Sequence, residues 1–207
     1  QIVESNGRAL AAAAREAGAE ALVLPAARDD AASLRAALRR ARGVDALVTV
    51  GGVSVGAKDL VRGALRAAGA RIGFWRVAMR PGKPFTFGRW GRTAVFGLPG
   101  NPASALVTFE LFVRPALRAM AGLPGSGRAV LPARLAAPLE KPAELTVYAR
   151  ARIARVGGEL WVEPLRTQVS GNLTSAAGVG ALAVLPAGRT RLARGARVEA
   201  ILLGVPE

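Results

Sequence analysis

The order of apolar and polar positions predicts an α/β region over residues 1–122. Leu34, Leu38 and Ala41 recur on one helical face, and the short apolar run 46–50 is typical of a parallel strand covered on both faces. The other expected elements are strands at 21–24 and 72–79, helices that begin near Asn6, Asp30, Asp59 and Pro102, and a hairpin of 85–87 with 93–96. Such strand–helix–strand units imply a parallel sheet with helices on both faces.

The texture of the sequence changes after Gly122. Residues 123–127 read as a linker because they combine Leu, Pro, Gly and Ser. Beyond them, short apolar segments separated by Pro and Gly predict a small antiparallel β-barrel or sandwich. We therefore expect an α/β domain at 1–122 and a β-barrel domain at 128–207.

The 207-residue chain contains no Cys and no His. This excludes disulfides, thiolate and imidazole metal sites, and Ser-His-Asp catalysis. Any chemistry must depend on carboxylates, Lys and Arg side chains, hydroxyls and backbone groups. No apolar run approaches the roughly 20 residues that a membrane span needs, so no membrane partner is expected.

The net charge of +15 raises the question of a nucleic-acid partner, because a basic surface attracts phosphates of any sequence. Lys occurs only at 58, 83 and 141, so the basic residues are almost all Arg, a skew that fits coding bias as well as selection for a binding face. The charge is spread along the chain without a long run of one sign. We therefore expect no specific nucleic-acid partner and only weak, nonspecific binding.

A glycine-rich turn directly follows the strand predicted at 46–50. Gly51, Gly52, Ser54 and Gly56 belong to the run Gly-Gly-Val-Ser-Val-Gly, at a strand end of the kind where open α/β sheets bind ligands. Glycines let the backbone approach a phosphate, and amides at a helix N-terminus supply positive charge. The order of the glycines fits neither the dinucleotide fingerprint nor the P-loop. A tight turn that binds nothing is the alternative interpretation.

Two carboxylates lie near predicted helix starts in this region. Asp59 falls three residues after Gly56, and Asp29 precedes the helix expected at Asp30. Either carboxylate can simply be a helix cap. Beside a bound phosphate, however, a carboxylate requires a divalent cation between the two anions, and oxygen ligands suit Mg²⁺. Asp59 is therefore a candidate metal ligand, and Asp29 and Asp30 are expected to point toward the same crevice.

Two rigid turns each hold a Gly between prolines, at 80–84 and 98–102. The first is expected to bring together three cations, namely Arg76, Arg80 and Lys83. The second, formed by Pro99, Gly100, Asn101 and Pro102, places helix-start amides at a crevice. Together these features predict an anion site, and rigidity alone is the alternative.

Three motifs of the chain, in this order and spacing, resemble the molybdopterin molybdenumtransferases, whose eukaryotic counterpart is the C-terminal domain of gephyrin. They are Gly-Gly-Val-Ser-Val-Gly with its following Asp, Phe-Trp-Arg-Val-Ala-Met-Arg-Pro-Gly-Lys-Pro, and Phe-Gly-Leu-Pro-Gly-Asn-Pro-Ala-Ser-Ala. The resemblance covers essentially the whole chain, with a molybdopterin-binding α/β domain followed by a C-terminal barrel. It implies insertion of molybdate into adenylylated molybdopterin, with release of AMP and a requirement for Mg²⁺.

The resemblance also implies roles for particular residues. Asp59 and Asp29 match acidic positions of the family, and Arg76 and Arg80 stand where the family commonly has Lys, which keeps the charge for oxyanion binding. Ser170 falls in a segment similar to a Ser-rich family loop that faces the site, with an ordinary loop as the alternative. A homodimer, a partnership with the molybdopterin adenylyltransferase of the same pathway and a cytoplasmic location are expected as well.

The family's two N-terminal domains and a Ser-Thr-Gly-Asp-Glu-type strand have no counterpart in the sequence. We therefore expect the chain to be the C-terminal half of a longer enzyme. One expected outcome is that this half alone binds ligand without catalysing the reaction. Two other functions stay open. One is adenylyl transfer to molybdopterin, which the barrel and the 80–84 turn disfavour, and the other is a cofactor-binding scaffold.

Overall fold

The computed structural model describes residues 5–52, 60–125, 127–169, 171 and 178–204. The chain divides into two compact units. The first comprises Gln1–Val77 and Gly82–Ser126, and the second comprises Ala78–Pro81 and Gly127–Glu207. None of the described helices is both long and apolar enough to cross a membrane.

The first unit contains a four-stranded sheet with strand order β1-β5-β4-β2. Its strands are β1 (Ala46–Val50), β2 (Arg71–Trp75), β4 (Thr86–Trp90) and β5 (Thr93–Leu98), while β3 (Met79–Arg80) belongs to the second unit. β1 and β5 are parallel, with Val50 paired to Leu98. β4 forms the predicted hairpin with β5, and its other edge pairs antiparallel with β2.

Helices cover both faces of this sheet. They are α1 (Asn6–Glu16), α2 (Ala31–Arg40), α3 (Leu60–Ala67), α4 (Pro102–Thr108) and α5 (Arg114–Met120), with a π-helical segment Phe109–Val113 between the last two. Leu10, Ala105 and Phe109 pack with Phe96 on one face. Leu38 and Leu65 pack with Val95 on the other. The α/β class and the helices on both faces are thus confirmed, because alternate residues of β5 point into two separate cores.

Two sequence predictions about this unit need correction. No strand forms at 21–24, where Leu22 and Val23 are 76% and 46% exposed. A short apolar run becomes a strand only beside a hydrogen-bonded neighbour, and no described strand pairs with this one. The second correction concerns the expected parallel sheet. Within the described sheet only β1 and β5 are parallel neighbours. β4 and β5 are antiparallel because the tight turn after Trp90 reverses the chain.

The second unit is a closed β-barrel, as the sequence predicted. Its strands are β6 (Val130–Leu135), β7 (Leu139–Glu140), β8 (Thr146–Val156), β9 (Glu159–Pro164), β10 (Ala181–Leu185), β11 (Arg191–Leu192) and β12 (Arg197–Leu202). The order β10-β12-β6-β9-β8 closes through pairing of β10 with β8. Ala149, Ala151 and Ala183 are fully buried in its interior, and such small side chains suit a narrow barrel.

Candidate functional site

The glycine-rich turn and the Leu98–Pro102 turn meet at the carboxyl ends of β1 and β5. Because these strands are parallel neighbours, both turns leave the sheet at the same edge. The Gly51 N–H donates a hydrogen bond to the Leu98 carbonyl oxygen at 3.0 Å. A Cβ placed on Gly100 lies 3.5 Å from the Gly51 Cα. The structure therefore brings Gly51 and Gly100, predicted from separate motifs, into direct contact.

Glycine is required in the first of these turns for two physical reasons. Gly51 and Gly52 have φ values of 78° and 67°, in the left-handed region that L side chains rarely adopt. In addition, a Cβ at Gly52 would overlap the side chain of Val61 in the first turn of α3. The bare backbone of Gly52 is thus packed against the start of α3.

The second turn is held from both sides. The Asn6 side-chain amide donates to the Gly100 carbonyl oxygen at 2.8 Å, which ties the turn to the start of α1. Pro99 is buried, Asn101 occupies the N-cap position of α4, and Pro102 begins that helix. The predicted site residues of this turn therefore lie on a rigid segment beside Gly51.

Arg76 directly follows β2 and has an unusual backbone conformation. Its φ is 75°, and it is the only described residue other than glycine with a positive φ. A non-glycine residue in this region costs of order 1–3 kcal/mol and persists only where its surroundings fix it. Here the Arg76 N–H donates to the Phe85 carbonyl at 2.9 Å, and the Val77 N–H donates to the Lys83 carbonyl at 2.9 Å. The backbone at Arg76 is thus anchored to the segment around Lys83.

The guanidinium group of Arg76 lies over an aromatic ring. Its carbon is 4.0 Å from the centre of the Trp75 ring, and the guanidinium carbon of Arg62 is 3.8 Å from the same ring. Sequence reasoning missed Arg62. Its place in the first turn of α3 could have drawn attention to Arg62, because it directly follows Val61, which packs on Gly52.

Arg80 belongs to the other compact unit. It lies in β3, which pairs parallel with β8 and places Arg80 opposite Val147. No local sequence signal marks this four-residue excursion, because β3 is defined only by its distant partner strand. The predicted grouping of Arg80 with Arg76 and Lys83 stays a prediction.

The barrel contains a buried arginine that sequence reasoning also missed. Arg150 is 2% exposed, and its guanidinium donates to the carbonyl oxygens of Thr167 and Val169 at 3.4 and 3.2 Å. The Gln168 side chain donates to the Arg150 carbonyl at 2.9 Å and accepts from the Arg150 N–H at 3.1 Å. Burial lowers the pKa of Arg150 from its ordinary value. These contacts fix the segment that leads to Ser170.

Several predicted site residues lie outside the described part of the chain: Ser54, Gly56, Asp59 and Ser170. Asp29 is exposed and precedes α2. The Asp30 carboxylate caps α2 by accepting from the Ser33 N–H at 2.7 Å, which confirms the predicted helix start.

Among the described residues, no three acidic side chains come together as a possible metal site. Asp59 lies outside the described residues and stays a prediction as a magnesium ligand.

The fold and these turns define the class as an α/β ligand-binding domain, with turns at the carboxyl ends of parallel strands, followed by a small closed β-barrel. The chain belongs to the molybdopterin-binding domain family. Residues 1–119 match the family described as "Probable molybdopterin binding domain", and residues 132–203 match "MoeA C-terminal region (domain IV)". The family resemblance predicted from the motifs is thereby confirmed.

Curated relatives carry matching names. The chain is 44% identical over 164 residues to molybdopterin molybdenumtransferase 2 of Mycobacterium tuberculosis, which covers 76% of this chain and 40% of the relative. It is 36% identical over 211 residues to a molybdopterin molybdenumtransferase of Nostoc sp., which covers 99% of this chain and 48% of the relative. The chain thus spans about half the length of the curated relatives that it matches, or less.

Solved structures agree with this assignment. A molybdopterin biosynthesis MoeA protein from Pyrococcus horikoshii is similar with a TM-score of 0.82 and 30% identity, over 98% of this chain and 48% of that chain. A structure of a molybdopterin biosynthesis moeA protein from Pyrococcus horikoshii OT3, at 23% identity and a TM-score of 0.77, supports the fold alone.

Proposed function

We propose that the protein to which this chain contributes inserts molybdate into adenylylated molybdopterin and releases AMP. The observation that carries the proposal is the direct contact of the Gly51–Gly52 turn with the Leu98–Pro102 turn at one sheet edge. Open α/β sheets bind ligands outside the carboxyl ends of their strands. The relatives are about twice as long as this chain, and their names support the same reaction.

The chain's own residues suggest a division of labour. The side-chain-free backbone at Gly51 and Gly52 lets the phosphates of an adenylylated pterin approach the sheet edge. The exposed guanidinium of Arg76 attracts the tetrahedral molybdate dianion, because charge-assisted hydrogen bonds to Arg suit oxyanions. The pterin itself supplies the sulfurs that capture molybdenum, so a chain without Cys or His is consistent with the reaction.

A pair of assays separates this function from the alternatives. The full-length parent is incubated with adenylylated molybdopterin and molybdate, and AMP release is followed. A parallel reaction contains molybdopterin and Mg-ATP, and pyrophosphate release is followed. Molybdate-dependent AMP release supports the proposal, pyrophosphate release supports adenylyl transfer, and ligand binding without either product supports a scaffold.

The role of Asp59 is tested by replacement with Asn in the full-length parent. Both residues accept capping hydrogen bonds, so the free energy of unfolding should change by less than about 1 kcal/mol. If the carboxylate acts at the phosphates, AMP release should fall by at least about 100-fold, the scale of one electrostatic contact in the transition state. Asp30→Asn, at a helix cap that the site does not use, is the control. If the Asp59 variant releases AMP at the wild-type rate, Asp59 acts only as a helix cap.

A requirement for Mg²⁺, a homodimer, a partnership with the pathway's adenylyltransferase and a cytoplasmic location complete the proposal. Their support is the family resemblance. Light scattering of the parent tests the dimer, and AMP release with and without chelator tests the metal.

A further inference from the structure

Trp75 carries two arginine side chains on its ring. The guanidinium carbons of Arg62 and Arg76 lie 3.8 and 4.0 Å from the ring centre, well within the range of cation–π attraction. The two carbons therefore lie no farther apart than the sum of these distances. Since the screening length at physiological salt is about 8 Å, an anion beside the ring experiences both charges.

Each member of this group is placed by a different element. Trp75 is the last residue of β2, is half-buried, and pairs with Thr86 of β4. Arg62 comes from the first turn of α3, next to Val61, which packs on the bare backbone of Gly52. The arginine pair is therefore built beside the glycine turn of the candidate site.

The backbone of Arg76 gives an independent reason to look for a ligand. A residue with a φ of 75° is more easily accommodated as glycine, yet this position holds an arginine whose side chain is exposed. Among the described residues, Arg76 forms no ion pair with a carboxylate. A strained backbone that presents an exposed cation is typical of a binding position rather than of packing.

We propose that Trp75 is a positioning residue that holds Arg62 and Arg76 as a two-cation site for a tetrahedral oxyanion. The proposal rests on the function proposed above, and it adds Arg62 and Trp75 to the residues that act on the substrate. The ring lowers the cost of bringing two like charges together and limits the rotamers of both side chains. The planar donors of a guanidinium suit the oxygens of such an anion.

The oxyanion has two sources in the proposed reaction, because molybdate and the phosphates of the adenylylated pterin are both tetrahedral. Titration calorimetry on the 207-residue chain distinguishes them, with sodium molybdate and sodium tungstate in one arm and AMP in the other. Binding of molybdate and tungstate assigns the site to the metal oxyanion. Binding of AMP alone assigns it to the nucleotide phosphate.

Arg62→Gln is expected to weaken binding of the preferred oxyanion by about tenfold or more, the scale of hydrogen bonds to a charged group. Arg66→Gln is the matched control, because it removes the same charge from an exposed position one turn along α3. We expect its effect to stay below about twofold, since exposed charges are strongly screened. Equal weakening in the two variants would show that only net charge matters, and the proposal would then be wrong.

Trp75 is tested by two replacements. Trp75→Leu keeps both arginines but removes the aromatic face, so affinity should fall by about fivefold to tenfold, and Trp75→Phe should restore most of it. A purely structural role predicts that Leu and Phe behave alike once both variants are shown to be folded by circular dichroism. Wild-type affinity in Trp75→Leu, or no oxyanion binding by the wild-type chain, overturns the proposal.

The two proposals fail in different ways. If the wild-type chain binds an oxyanion through Arg62 but the full-length parent inserts no molybdate, the proposed function fails and the oxyanion site stands. If the parent inserts molybdate and both the Arg62 and Trp75 variants keep wild-type KM for molybdate and for adenylylated molybdopterin, the oxyanion site fails alone.

Discussion

Replacing Gly52 with Ala is expected to lower the free energy of unfolding of the α/β unit by about 2–4 kcal/mol and to abolish ligand binding. The first cause is the backbone, because Gly52 has a φ of 67°. The second is steric, because the new methyl group would overlap Val61 and push α3 away from the turn. Urea denaturation and binding of AMP measure the two effects.

Gly43→Ala separates these causes. Gly43 has a φ of 86°, but a Cβ placed there meets no atom within 4 Å. Its replacement should therefore show only the backbone cost, about 1 kcal/mol, and leave ligand binding intact. The double variant Gly52→Ala with Val61→Ala should recover part of the lost stability. A Gly52 variant no less stable than the Gly43 variant would contradict the close packing of the turn on α3.

Replacing Phe85 with Ala is expected to destabilise the α/β unit by about 3–5 kcal/mol, the usual cost of deleting a buried aromatic ring. Phe85 is 1% exposed and stacks on Phe112 with ring centres 4.4 Å apart. Its carbonyl oxygen also accepts the hydrogen bond that anchors Arg76. Loss of the ring should loosen this anchor and weaken oxyanion binding in the variant that still folds at low temperature.

Phe74→Ala is the matched control for Phe85. Phe74 contacts the same cluster, with its ring centre 5.8 Å from that of Phe85, but it is 44% exposed. Because nearly half of the Phe74 surface already contacts water in the folded protein, its loss should cost less, about 1–2 kcal/mol. Chemical denaturation followed by circular dichroism compares the two variants. A larger loss of unfolding free energy for Phe74→Ala than for Phe85→Ala would contradict the assignment of Phe85 to the core.

The parts of the fold that the sequence predicted depend on local signals. The run 46–50 and the hairpin before Leu98 appear as strands because their apolar periodicity and turn residues are contained within a few positions. The barrel segments appear for the same reason. The helix start at Asp30 was also predicted, because a carboxylate there meets the positive end of the helix dipole.

The parts that sequence reasoning missed depend on distant partners. The run at 21–24 has the composition of a strand, but pairing decides whether a strand forms. β3 exists only through its pairing with β8, about 70 residues away along the chain. The stacking of Arg62 on Trp75 joins a helix to a strand, and no spacing rule connects them.

The candidate site follows the same division. Glycines and prolines identified the two turns because these residues have characteristic backbone preferences. Arg76 could not be recognised as left-handed, since nothing about an arginine signals a positive φ. Arg150 looked like one of many arginines, and only its burial against residues 167–169 distinguishes it.

The central claim is that the two turns at the carboxyl ends of β1 and β5 hold the adenylylated pterin. A crystal structure of the chain with adenylylated molybdopterin bound tests it most directly. We predict that the phosphates lie against the backbone of Gly51 and Gly52, within contact of the turn at Gly100. A ligand bound elsewhere on the chain, with neither turn in contact with it, would contradict the account.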